Sequence, residues 1–197
     1  LELGKKIKSQ VPGIQVIYTR STNKFVELHE RAAIANRNNA DLFISIHCNS
    51  GPTKAFGTET YAMGLHTSNE NLAVAERENA VVLKEDNYEQ NYEGFDPNSP
   101  IAHIMLANFM NQYLENSLLL ADKIQKRFQT VAKRKSRGVK QAGFVVLWKT
   151  AMPSVLVETG FLTNTTEEAY LSSKQNQEKI AESVFQAFKE YQTYIEE

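Results

Sequence analysis

Cys48 is the only cysteine, so the chain can form no internal disulfide and no multi-cysteine zinc site. A lone thiol suits a cytosolic protein, yet exported bacterial proteins also manage without disulfides, so compartment stays open. Long apolar runs are missing too. None approaches the roughly 18 residues that cross a bilayer, which excludes a membrane helix. Charge of one sign is scarce: 22 Lys and Arg stand against 23 Asp and Glu, a formal charge of -1. Long-range attraction to a polyanion is therefore not the theme, and a nucleic-acid partner is not expected. No repeat, low-complexity tract or linker divides the chain. A starting methionine and a helix cap are also absent. The opening "LELGKKIKSQVPGIQVIYTR" reads like the middle of a helix running into a strand, so the expectation is a fragment whose targeting signals lie elsewhere.

What is present fits one globular domain. Apolar residues make up 42% and charged residues 23% of the 197, enough to bury about 70% of the unfolded surface around one core. Residues 1–9 look like a helix end and "IQVIYT" at 14–19 like a strand. Leu28, Ala32 and Ala35 form a helical stripe within 25–39. "LFISIH" is a strand apolar on both faces, as expected when helices cover both sides, and "GTETYAM" at 57–63 is another.

Further on, "NLAVAERENAVVL" reads as a helix and "EDNYEQNYEGFDPNSP" as an exposed loop. One long helix is predicted from Ile101 to about Lys133, with Met105, Phe109, Leu120, Ile124 and Phe128 on its stripe and a start at Asn98 or Ser99 before Pro100. "KRKSRGVKQ" reads as a basic loop, "GFVVLW" and "SVLVET" as strands, and 174–193 as a final helix carrying Ile180, Val184, Ala187, Phe188 and Tyr191. This alternation predicts an α/β fold: a single twisted, mainly parallel sheet with helices on both faces. In such sheets ligands gather beyond the carboxyl ends of the strands.

Two strand ends stand out there. "LFISIH" delivers His47, and "SVLV" delivers Glu158. A histidine at a buried strand end is often a hydrogen-bonded structural residue, but Asn49, Ser50 and Gly51 open the chain into a loop, so this imidazole can face a cleft and bind metal. Cys48 should point to the opposite face and pack as a small hydrophobe. A carboxylate directly after an apolar strand needs a cation, water or backbone donors. Taken alone, Glu158 could equally cap a turn. Paired with His47, it points to a hydrolytic site in which zinc acidifies water and the carboxylate accepts the proton. Asn49 is the candidate substrate contact.

"HERAA" at 29–33 starts like the H-E-x-x-H zinc helix but has Ala33 where the second histidine belongs. Glu27, Glu30 and Arg31 then read as a solvated or salt-bridged face. His66 and His103 have no partner spacing and read as surface or packing residues.

"TRSTNKFVELHERAAIANRNNADLFISIHCNS", "GTETYAMG", "RGVKQAGFVVLWKTAMPSVLVETGFLTN" and the last helix together resemble the zinc-dependent N-acetylmuramoyl-L-alanine amidases. The likeness covers nearly the whole chain and centres on S-I-H-x-N and V-E-x-G-F-x-x-N. It implies hydrolysis of the amide joining N-acetylmuramic acid to the L-alanine of the peptide stem in peptidoglycan, in the periplasm or outside the cell. In that family zinc is held by a histidine of a D-P-G-H-G segment, a glutamate after it and the histidine of S-I-H-x-N, which is His47 here; the general base is Glu158. The first two ligands should lie upstream of "LELGKKIK", and Glu2 does not stand where the family has one.

The resemblance therefore implies an amidase catalytic domain over 1–197 that lacks its first strand, has two of its three zinc ligands missing and is inactive as it stands. Residues 65–130 resemble the helical insertion of division-type members, in some of which a helix covers the zinc until an activator protein moves it. Glu78 or Glu76 is the candidate gating acid. Two other readings remain: a non-catalytic cell-wall binding or regulatory domain, and another zinc hydrolase such as a carboxypeptidase.

Overall fold

Residues 43–47 and 154–158 are apolar, rich in β-branched side chains and flanked by turn formers, and they become neighbouring strands. The computed structural model describes residues 1–66, 68–107 and 112–196. Four strands, β1 (Phe43–Asn49), β2 (Thr58–Met63), β3 (Ser136–Ala142) and β4 (Ser154–Phe161), form one mixed sheet in the order β1-β4-β2-β3. The β1–β4 and β2–β3 pairs are parallel and β2–β4 is antiparallel.

Because side chains alternate along β4, it feeds two cores. Val155 and Val157 join Leu3 and Ile7 of α1 (Glu2–Gln10), Leu120, Ile124 and Phe128 of α6 (Leu114–Thr130), and Ile180, Val184 and Tyr191 of α8 (Lys174–Glu196). Leu156 faces the other way, with Leu28 and Ala35 of α2 (Leu28–Arg37) and Val74 and Ala75 of α3 (Asn69–Asn79). Helices thus lie on both faces, and the stripes Leu28/Ala32/Ala35 and Ile180/Val184/Ala187/Tyr191 are buried as their spacing predicts. No helix among the described residues is long and apolar enough to cross a membrane.

The structure departs from the sequence reading at several places, each with a physical cause. "IQVIYT" at 14–19 joins no ladder; a groove of about 970 Å³ separates it from the outer edge of β1. Since β1 is an edge strand, Ile46 is 48% exposed rather than covered. The basic "KRKSRGVKQ" supplies β3, an edge strand whose Arg137 and Lys140 are balanced by Glu59 of β2; edges tolerate such charges. "GFVVLW" holds a buried 3-10 turn at Val145–Leu147 instead of a strand, because Asn79 Oδ1 takes the Val145 N–H at 2.9 Å.

The long helix is two, α5 (Pro100–Ala107), whose start is capped by Ser99 Oγ on the Ala102 N–H, and α6. Met105 is exposed, and Phe109 lies outside the described residues. Within the supposed exposed loop, α4 (Tyr88–Asn91) is followed by buried Tyr92 and Phe95. Within 65–130, α6 belongs to the face that α8 covers, while α3 lies over the opposite one. Finally α7 (Thr165–Ser172) is an unforeseen helix, capped by the Asn164 carboxamide on the Thr166 and Glu167 N–H groups.

Candidate active site

His47 and Glu158 are Cα partners across β1 and β4, both on the face that α2 and α3 cover. α3 lays Glu78 against them. Glu78 Oε2 is 2.6 Å from His47 Nδ1, and one donor atom each of His47, Glu78 and Glu158 lie within 4.8 Å of one another. Of the two acids considered on α3, Glu78 joins this group and Glu76 is not part of it.

Glu158 is fully buried, and neither carboxylate oxygen has a hydrogen-bond partner among the described residues. Burial pushes it well above the usual carboxylate range, Glu78 and Glu59 push it further, and Arg77 opposes them only in part. Buried carboxylates are ordinarily satisfied. One imidazole and two carboxylates around a shared point make a donor set that fits zinc, and a cation there would answer the charge that the protein leaves unbalanced.

Beside this group lies a network that the sequence reading did not anticipate. Glu59, the antiparallel Cα partner of Glu158, is buried. Its Oε1 accepts from Arg137 Nε at 2.6 Å and Lys140 Nζ at 2.7 Å, and its Oε2 from Tyr61 Oη at 2.7 Å and Asn49 Nδ2 at 3.2 Å. Burial alone would raise its pKa, but the bonds from Lys140, Arg137 and Tyr61 outweigh it and hold the group below the usual range. The available signal was an acid inside the β-forming "GTETYAM".

Asn49 is not free to greet a substrate in this arrangement. It is fully buried, donates to Glu59, and accepts on Oδ1 from Arg77 Nη2 at 3.0 Å and its neighbour's Ser50 N–H at 2.8 Å. It ties α3 to the strand ends. Cys48 does turn to the opposite face, but it is exposed, with Sγ 3.3 Å from Thr159 Oγ1, and is no packed hydrophobe.

A second acid and histidine group, Glu27, His29 and Glu85, surrounds the start of α2. Its buried carboxylate is already satisfied: Glu85 Oε1 accepts the Leu28 N–H at 2.8 Å and Oε2 accepts from Tyr92 Oη. The group caps α2 from the segment that follows α3. His103 packs edge-on to Phe95 within hydrogen-bonding distance of Pro97 O and Asn79.

The groove beside β1 runs from Ile14–Thr19 past Leu42–Ile46 to His47 and Glu78, so it opens onto the same site.

The uncharacterised protein YqiI of Bacillus subtilis strain 168 is 32% identical over 186 residues, covering 94% of this chain and 67% of its own length. N-acetylmuramoyl-L-alanine amidase AmiA of Escherichia coli K12 is 33% identical over 189 residues, covering 93% and 64%. The chain thus spans about two thirds of the length of these relatives. The crystal structure of an N-acetylmuramoyl-L-alanine amidase from Clostridium difficile 630 shares the fold, with a TM-score of 0.69 over 98% of this chain and 78% of its own at 24% identity. The profile described as N-acetylmuramoyl-L-alanine amidase matches residues 1–190, and with that match the chain belongs to the N-acetylmuramoyl-L-alanine amidase family.

Proposed function

We propose that this chain is the catalytic domain of a zinc-dependent peptidoglycan hydrolase that cleaves the amide between N-acetylmuramic acid and the L-alanine of the stem peptide. The observation that carries the reading is Glu158, a buried carboxylate with no hydrogen-bond partner among the described residues, set directly across from His47. When bound, zinc supplies Lewis acidity, polarising the scissile carbonyl and acidifying water. His47 would hold it. Glu158, held neutral-prone by burial but freed to ionise beside a cation, takes the proton from the attacking water and passes it to the departing alanine nitrogen. The apolar wall around Leu156 keeps the carboxylate out of bulk solvent, which strengthens every charge interaction there.

The reading places two further ligands on a strand lying in the groove beside β1, whose free edge and end point at His47 suit such an addition. The test is to digest purified peptidoglycan with a longer form that carries the strand, and to look for new L-alanine amino groups. Release of C-terminal amino acids instead would identify a carboxypeptidase. Binding without any cleavage would identify a cell-wall binding domain. A Glu158→Gln form that still cleaves would overturn the mechanism.

A second reading concerns α3. Glu78 contacts His47 and Arg77 holds Asn49, which supports α3 as a cover over the site, to be displaced by an activator protein on the periplasmic or outer side of the membrane. Deleting 69–83 in the longer form should raise basal hydrolysis; an unchanged rate counts against gating.

A further inference from the structure

On the rim of the site two cations share one carboxylate. Arg137 and Lys140 both bind Oε1 of Glu59, so one positive charge of the pair is left over. Their placement is built into the strand. The β2–β3 register shifts between Thr58 and Thr60, and Gly138 sits at φ 92°, a bulge that a side chain would strain. The bulge keeps Val139 in the core with α6 and α8 while Arg137 reaches Glu59 on the other face.

The guanidinium is anchored at one end and open at the other. Nε is committed to Glu59 at 2.6 Å and the group lies 5.3 Å from the centre of the Phe161 ring, while neither Nη nitrogen has a hydrogen-bond partner among the described residues. Lys140 Nζ likewise makes one such bond, to Glu59. The two side chains are 28% and 16% exposed, reachable but held. A fixed, stacked guanidinium fork beside an ammonium is a receptor for a carboxylate, which it can grip bidentately.

Resting on the amidase reading above, we propose that Arg137 and Lys140 form a subsite for a free carboxylate on the peptide arm of the substrate. Glu59 is the direct neighbour of Glu158 across β2 and β4, so a peptide whose L-alanine nitrogen sits at Glu158 brings an acidic side chain one residue further along towards this pair. The specificity is for an acidic over an amidated peptide.

The test uses the 197-residue chain and two small probes whose C-terminal carboxyl is blocked as the α-amide, N-acetyl-L-alanyl-glutamate α-amide and N-acetyl-L-alanyl-glutamine α-amide, by calorimetry and by NMR of the arginine side chains. The acid should bind about tenfold or more tightly and shift the Arg137 resonances, as a charge-assisted pair requires. Lys140→Met and Arg137→Lys, which each leave Glu59 a cation, should weaken the acid by about three- to tenfold and leave the amide unchanged. Equal binding of acid and amide, or acetate binding as tightly as the peptide, overturns the proposal. In the longer form, cleavage of acidic and amidated muropeptides at equal kcat/KM would remove the subsite but keep the amidase. Acid preference with no amide cleavage would do the reverse.

Discussion

His47 and Glu158 stand opposite each other as Cα partners on the parallel β1–β4 pair, although they come from distant parts of the chain. Strand alternation then fixes their shared face, and α3 sets Glu78 above them. Three donors converge because of register, without any flexible loop between them and the sheet.

The titration of Glu158 follows from this. A carboxyl group whose folded pKa is raised binds more protons in the folded chain than in the unfolded one. Its contribution is therefore full below the ordinary value of 4.5 and is lost as pH rises towards the folded pKa. In the presence of a chelator, the wild-type Tm should fall relative to Glu158→Gln as pH rises above 4.5. Parallel curves for the two proteins in thermal scans would show that the carboxylate is not desolvated.

Metal should reverse that loss. A ligand at about a hundred times its Kd stabilises by ~2.7 kcal/mol, worth about 5–10 °C in Tm for a chain of this size. In the longer form that carries the two further ligands, zinc should raise the Tm by this order, and His47→Ala should abolish the shift. A longer form whose Tm is indifferent to zinc would show that His47 is not part of a cation site.

Much of this was readable beforehand, and the exceptions share a cause. β4 announces itself because burial on both faces demands continuous apolar residues, β1 is apolar enough to read as its neighbour although one face is partly open, and their ends carry the two site residues. β3 hides its nature because Arg137 and Lys140 look solvated until Glu59, far away in sequence, balances them. Val145–Leu147 resembles a strand until Asn79 claims its backbone. Asn49 has the type of a substrate contact, and only the fold shows that Arg77 and Glu59 use up its amide. Local pattern carries the elements; partners distant in sequence decide the polar ones.

Arg134 and Glu167 make a buried ion pair, 9% and 5% exposed, and Glu167 Oε2 also accepts the Gly57 N–H at 3.1 Å. Glu167 thereby fastens α7 both to the segment before β3, through Arg134, and to the start of β2, through Gly57. Arg134→Ala leaves Glu167 uncompensated and should destabilise by about 3–5 kcal/mol, read from urea unfolding. Replacement of both partners by apolar residues should recover a large part of that loss, because no charge then remains buried alone.

Asn79 ends α3 and is 1% exposed. Its Nδ2 donates to Gly143 O at 2.7 Å and its Oδ1 accepts from Val145 N–H at 2.9 Å, so one carboxamide joins the cover to the turn beneath it. Asn79→Ala strands a buried carbonyl and a buried amide, a loss of about 1–3 kcal/mol for each group left unsatisfied. The consequence should be local before it is global. Amides of 69–84 should exchange faster while those of β4 keep their protection, since Val155, Leu156 and Val157 are held by both cores. If α3 is the cover, the same variant in the longer form raises basal hydrolysis. If exchange accelerates evenly across the sheet instead, Asn79 supports the whole domain and α3 does not open by itself.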